Sequence, residues 1–98
     1  QHEIFQRQGD DIVMQLSISL TEAVLGTNKE IETLDGNIRL KIPEGTQPSD
    51  VLKVRGKGAY SASGYGRGDL LIEIKVNIPK KISKKIKEAI EKLQEEGL

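Results

Sequence analysis

Glu30-Ile31-Glu32-Thr33-Leu34-Asp35-Gly36-Asn37-Ile38-Arg39-Leu40-Lys41-Ile42 sets two alternating runs on either side of an Asp-Gly dipeptide. Asp-Gly between such runs predicts a two-residue hairpin turn, with Asp35 and Gly36 both at positive φ. That loop length sets a register. Leu34 faces Asn37, Thr33 faces Ile38, Glu32 faces Arg39, Ile31 faces Leu40 and Glu30 faces Lys41. Opposite charges then meet twice on one face, and Ile31, Ile38, Leu40 and Ile42 gather on the other. Each cross-strand pair is worth roughly 0.2–1 kcal/mol, and a one-residue slip would move every side chain to the wrong face.

The same period of two recurs on both sides. In Asp11–Leu20 it puts Ile12, Met14, Leu16, Ile18 and Leu20 on one face of a long strand. Thr21 is the expected N-cap of one helical turn, Glu22-Ala23-Val24-Leu25, with Gly26 ending it. A helix this short cannot stand alone and must lie on the sheet. Pro43–Asp50 is a loop, because its prolines cannot donate to a central ladder. Val51–Arg55 is a short strand. Leu70–Ile78 resumes the alternation, with Leu70, Ile72, Ile74, Val76 and Ile78 on one side and Pro79 as the stop. Ser83 opens a helix whose residues Ile82, Ile86, Ala89, Ile90 and Leu93 form one apolar stripe, and Gly97 caps its end. The expected fold is mainly β: a small antiparallel β-sandwich with one short helix, followed by a C-terminal amphipathic helix.

Composition narrows the function. At 98 residues the chain has room for one modest core. Its 15 Lys and Arg balance 15 Asp and Glu, for a net charge of zero, which argues against a dedicated nucleic-acid binder. There is no cysteine for a disulfide, a thiol nucleophile or a zinc site, which is compatible with a reducing cytosol. His2 is the only histidine, so neither a catalytic triad nor a multi-histidine metal site is expected. No apolar run approaches the ~20 residues of a membrane span, and no signal-peptide pattern opens the chain. It begins mid-pattern without an initiator Met and reads as a piece of something longer.

The Gly56–Asp69 stretch holds five glycines. Gly56-Lys57-Gly58 lacks the spacing and the Ser or Thr of a phosphate loop, and it leads into a strand, not a helix. It reads as a flexible connection between strands. Arg67-Gly68-Asp69 spells an integrin-attachment tripeptide, but Asp69 also suits a brace for the turn entering the last strand. Arg55, Lys57, Tyr60, Tyr65 and Arg67 mix cations with aromatics as single-strand binders do. The C-terminal helix is charged backwards for its dipole. Lys80, Lys81, Lys84, Lys85 and Lys87 crowd its start, while Glu91, Glu95 and Glu96 crowd its end. Four-residue spacings such as Lys84 to Glu88 and Lys87 to Glu91, together with Glu88 to Lys92 and Lys92 to Glu96, offset this by roughly 0.2–0.5 kcal/mol each. Such a helix needs packing, either on its own sheet or against another chain's helix.

His2-Glu3-Ile4-Phe5-Gln6-Arg7-Gln8-Gly9-Asp10-Asp11-Ile12 resembles the entry to the second C-terminal β-domain of J-domain co-chaperones of the DnaJ type. The resemblance continues through Glu22-Ala23-Val24-Leu25-Gly26, Thr33-Leu34-Asp35-Gly36, Ile42-Pro43-Glu44-Gly45-Thr46-Gln47, Arg55-Gly56-Lys57-Gly58, Gly68-Asp69-Leu70 and Pro79 with its helix. Glu32 departs from a frequent proline, Ile82 from Leu and Ile86 from Gln; the last change widens the apolar stripe. The resemblance implies a β-domain over residues 1–79 and a dimerisation helix over 80–98. It also implies a cytoplasmic, non-enzymatic stress-response module without cofactors, and a homodimer contacting through Ile86, Ala89, Ile90, Leu93 and Leu98. Unfolded client polypeptides are its implied ligands, and a DnaK-type chaperone is the partner of the full-length protein; no nucleic acid or membrane is expected. Val13 and Leu71 lie on otherwise polar strand faces and are candidates for client contact, unless the short helix or the Gly-rich loop buries them. A plain oligomerisation module and a nucleic-acid-binding β-domain are the alternatives.

Overall fold

The computed structural model describes residues 5–33, 35–61, 64 and 66–98. Its elements are β1 (Phe5–Gln8), β2 (Asp11–Ser19), α1 (Leu20–Leu25), β3 (Thr27–Thr33), β4 (Gly36–Ile42), β5 (Val51–Val54), β6 (Leu70–Asn77) and α2 (Lys84–Glu95). A four-stranded sheet runs in the order β1-β2-β6-β5, and β3-β4 forms a separate hairpin. The mainly β architecture, with a short helix and a C-terminal helix, is the expected one.

The central pairing differs from the antiparallel expectation. β2 and β6 run parallel from Ile12↔Leu70 to Ser19↔Asn77, while both outer pairings are antiparallel. Alternation of apolar residues carries no information on strand direction. The long connection from β2 to β6, which contains α1, the hairpin and β5, supplies the crossover that a parallel pair requires. Met14, Ile18, Leu70, Ile72 and Ile74 are fully buried on the inner face, and Ile31 and Ile42 of the hairpin join them in one core. At the strand ends the periodicity overruns. Leu20 belongs to α1 and Ile78 lies beyond β6, and both are exposed.

The hairpin register is shifted by two residues from the one expected. Thr33 pairs with Gly36, Glu32 with Asn37, Ile31 with Ile38 and Glu30 with Arg39. Leu34, expected opposite Asn37, lies outside the described residues. The cause is Thr33. Its hydroxyl accepts from the Asp35 N–H at 3.2 Å and donates to the Gly36 carbonyl at 2.7 Å, closing the turn one residue earlier on each strand. A two-residue shift preserves every side chain's face, so Ile31, Leu40 and Ile42 are still buried. It leaves one opposite-charge pair, Glu30 with Arg39, and sets Lys41 beside Asn28.

Ser19, not Thr21, caps α1. Its hydroxyl accepts from the Glu22 N–H at 3.2 Å, and Glu22 reaches back to the Ser19 N–H at 2.9 Å. This is the reciprocal Ser-x-x-Glu arrangement, which Thr21 cannot make with Val24. Ser83 caps α2 as expected, by accepting from the Ile86 N–H. Gly97 at φ 95° lets the Leu98 N–H return to the Leu93 carbonyl. None of the four lysine–glutamate spacings along α2 closes to an ion pair.

Gly36 has φ 108° and open space where a Cβ would point, so a larger residue there meets backbone strain alone. Gly36→Val is expected to cost about 1–3 kcal/mol in chemical denaturation. Gly68 lies against the Asp10 carbonyl, with no room for a methyl group. Gly68→Ala is expected to cost about 3 kcal/mol or more, read the same way.

Candidate interaction surfaces

The Gly-rich stretch is tied down at the end of the body where β6 begins. Arg67 donates to the Gly58 carbonyl through Nε and Nη2 at 3.0 and 2.7 Å and pairs with Asp35 in the hairpin turn. Its guanidinium lies 4.4 Å from the centre of the Tyr60 ring. Lys57 reaches the same Asp35 carboxylate at 3.5 Å. Asp69 accepts from the Gly56 N–H at 2.8 Å and pairs with Lys53, while its own N–H donates to Asp11. The Arg67 hydrogen bond holds the Asp35 carboxyl below its ordinary range, and the Gly56 N–H does the same for Asp69. Arg67, Lys57 and Asp69 therefore brace the fold, as the turn-brace reading of Asp69 requires. Of the cation–aromatic set, Tyr65 lies outside the described residues and Arg55 is exposed.

Val13 and Leu71 are brought side by side in the β2–β6 register, on the face away from the core. Both are half-buried. Gln6 and Lys53 flank them in the same row, and the next row holds the Gln15–Glu73 hydrogen bond and exposed Val51. Val51 extends this apolar strip to the edge strand. The sequence does not mark it, because a four-residue strand shows too little period to separate its faces.

No residue of α2 is buried. Ile86, Ile90 and Leu93 are 50%, 41% and 47% exposed, Leu98 is more so, and Ala89 is exposed beside them. The strands of the body reach ~30 Å at ~3.3 Å per residue. The molecule's longest dimension is 57 Å against 22 and 20 Å across, so α2 projects from the body. An open depression of about 450 Å³ lies between Leu25, Asn28, Lys41, Ile42, Pro43 and Glu44.

His2 lies outside the described residues, and among those described no group of His, Asp and Glu is placed to hold a metal ion. No helix among them is long and apolar enough to cross a membrane.

Residues 1–79 match the family model described as the DnaJ C terminal domain. The chain belongs to that family. It is similar to the Chaperone protein DnaJ of Chlorobaculum tepidum, at 43% identity over 95% of this chain and 23% of that protein. The protein of the same name from Leptospira biflexa is 46% identical over 98% of this chain and 26% of its own length. That of Chlamydia muridarum is 48% identical, over 96% and 24%. This DnaJ C-terminal chain thus spans about a quarter of the length of the curated relatives it matches.

Because the folded-state pKa of Asp35 is depressed, its stabilising contribution is complete above the ordinary carboxylate pKa of about 4 and is lost as pH falls below it. Asp35→Asn is expected to lower the thermal midpoint at pH 7. The gap from wild type should close as both are titrated toward pH 2, as read by circular dichroism.

Proposed function

We propose that the chain is the dimerising, client-contacting tail module of a cytoplasmic DnaJ-type co-chaperone, with residues 1–79 as the β-body and 80–98 as the pairing helix. It performs no catalysis; J-domain stimulation of a DnaK-type partner resides elsewhere in the full-length protein, and the His-Pro-Asp tripeptide of that domain does not occur in this sequence. The observation that carries the pairing is the α2 stripe, apolar at Ile86, Ala89, Ile90 and Leu93 and left exposed by the other described residues.

Antiparallel pairing suits the charge order. The lysines that open one helix then lie beside the glutamates that close the other, so an intrachain cost becomes an interchain attraction. Rim charges of this kind set orientation more than affinity. Burying three Ile or Leu side chains supplies roughly 1.5–3 kcal/mol each. After the cost of association, a weak to moderate dimer results.

The Val13–Leu71 pair supports client contact. It is accessible apolar surface too small to drive self-association. If this module only oligomerises, that strip is idle, and aggregation assays separate the two cases.

Ile90→Asp, or truncation after Pro79, is expected to leave a folded monomer in sedimentation over a concentration range. An unchanged mass for both variants would defeat the pairing reading. Leu71→Asp is expected to reduce protection of an aggregating model substrate at least severalfold while the mass stays dimeric. Equal protection by wild type and Leu71→Asp would leave oligomerisation as the module's only role.

A further inference from the structure

We propose that Asp35-Gly36 is a site of spontaneous backbone modification, isoaspartate formation through a succinimide, and that Arg67 and Lys57 govern its rate by clamping the Asp35 carboxylate. This chemistry belongs to the hairpin turn and depends on neither α2 pairing nor client contact.

The sequence isolates the site. Five aspartates and three asparagines occur in the chain, and Asp35 alone is followed by glycine. Ring closure needs the next residue's backbone nitrogen to reach the side-chain carbonyl carbon, and a Cβ on that residue crowds the approach. Gly36 has none, and nothing lies within 4 Å of where one would point. Asp10, Asp11, Asp50 and Asp69 precede Asp, Ile, Val and Leu. Asp35 and Gly36 are both exposed to water.

The atoms balance with water as the only other reactant. The Gly36 nitrogen attacks Asp35 Cγ, a C–N bond forms, and the carboxyl hydroxyl leaves with the amide proton as water. Water then opens the ring at one of its two carbonyls. Attack at Cγ restores aspartate. Attack at the original main-chain carbonyl leaves the chain running through Cβ and Cγ, which is isoaspartate.

The leaving group decides what the clamp does. A neutral carboxyl departs as water, whereas a carboxylate would have to expel oxide and does not react. Arg67 donates through Nη1 to Asp35 Oδ2, and Lys57 Nζ lies 3.5 Å from the same oxygen. Two cations on one oxygen favour the ionised form, and the Asp35 carboxyl is held below its ordinary range. Arg67 is itself fixed, by two bonds to the Gly58 carbonyl and by the Tyr60 ring. Thr33 restrains the main chain. Its hydroxyl binds the Asp35 N–H and the Gly36 carbonyl, on either side of the labile bond, and so resists the rotation that ring closure needs. Isoaspartate adds a carbon to the main chain at this turn and displaces the carboxylate. Arg67 and Lys57 then lose the contact that joins the Gly-rich stretch to the β3–β4 hairpin.

The test is incubation of the chain at pH 7 in heavy-oxygen water. Peptide mapping reads isoaspartate at residue 35, and each passage through the ring takes up one heavy oxygen. Wild type is expected to convert slowly, Lys57→Gln faster, and Arg67→Gln at least severalfold faster than wild type. Ile74→Val, in the buried core and outside the clamp, controls for lost stability and should convert at the wild-type rate. Equal rates in wild type and Arg67→Gln, or equal acceleration by Ile74→Val, would overturn the clamp. Absence of heavy-oxygen uptake at Asp35 in all four chains would overturn the site itself.

Discussion

The parallel contact between β2 and β6 is the constraint on which the rest of the molecule depends. Both strands present an unbroken apolar series inward, and Met14, Ile72 and Ile74 are wholly inaccessible. A parallel pair cannot be closed by a tight turn. Everything between residues 20 and 69 is therefore obliged to travel from one end of the sheet back to the other. α1 turns the chain at the first end, the hairpin covers the inner face, and β5 adds an edge before the Gly-rich stretch delivers the chain to Leu70. The architecture is the path of that return.

The return must be fastened where it rejoins the sheet, and this explains the glycines. The Ala59 N–H donates to the Asp10 carbonyl and the Ile12 N–H to that of Asp69, so the stretch lies directly on the β1–β2 turn. Gly58 and Gly68 are the points of closest approach. A Cβ at Gly58 would come within 2.6 Å of the Asp69 backbone. Composition suggested a loose connection, because glycine signals both freedom and close contact. The two differ in whether charged partners converge on the segment. Here Arg67, Asp35, Lys57 and Asp69 do, and they join the loop to the tip of the other sheet.

Which parts were legible follows from what each signal encodes. Period two named the buried residues of β2, β4 and β6, since burial of one face is what the period reports. It could not distinguish parallel from antiparallel, because both place alternate residues on one face. Asp-Gly located the hairpin but misplaced its closure, because the Thr33 hydroxyl competes for the same backbone groups. The capping of α1 was present as Ser19-Leu20-Thr21-Glu22 but was masked by a strand pattern running through Ser19. Val13 and Leu71 each stand out on a polar strand face, yet their adjacency depends on the parallel register, which is not local information. The exposed apolar residues of α1 were obscured for a similar reason, since Leu20 continues the period of β2.

The helix and the body solve the same problem in different ways. The body buries its apolar face within one chain, so its core is complete without α2. The helix has the stripe, the Ser83 cap and the Gly97 closure of a stable element, but none of its residues is buried. A helix of 12 residues with lysines at its N-terminal end and glutamates at its C-terminal end is marginal in water by itself. Under the proposed pairing its order depends on association, and protein concentration enters its folding equilibrium. Folding of the Val13–Leu71 strip on β2 and β6 carries no such dependence, since the core beneath it is complete without α2. Under that pairing, stability and assembly are separable: a substitution at the Met14–Ile72 row acts on the first and one at the Ala89–Ile90 turn acts on the second.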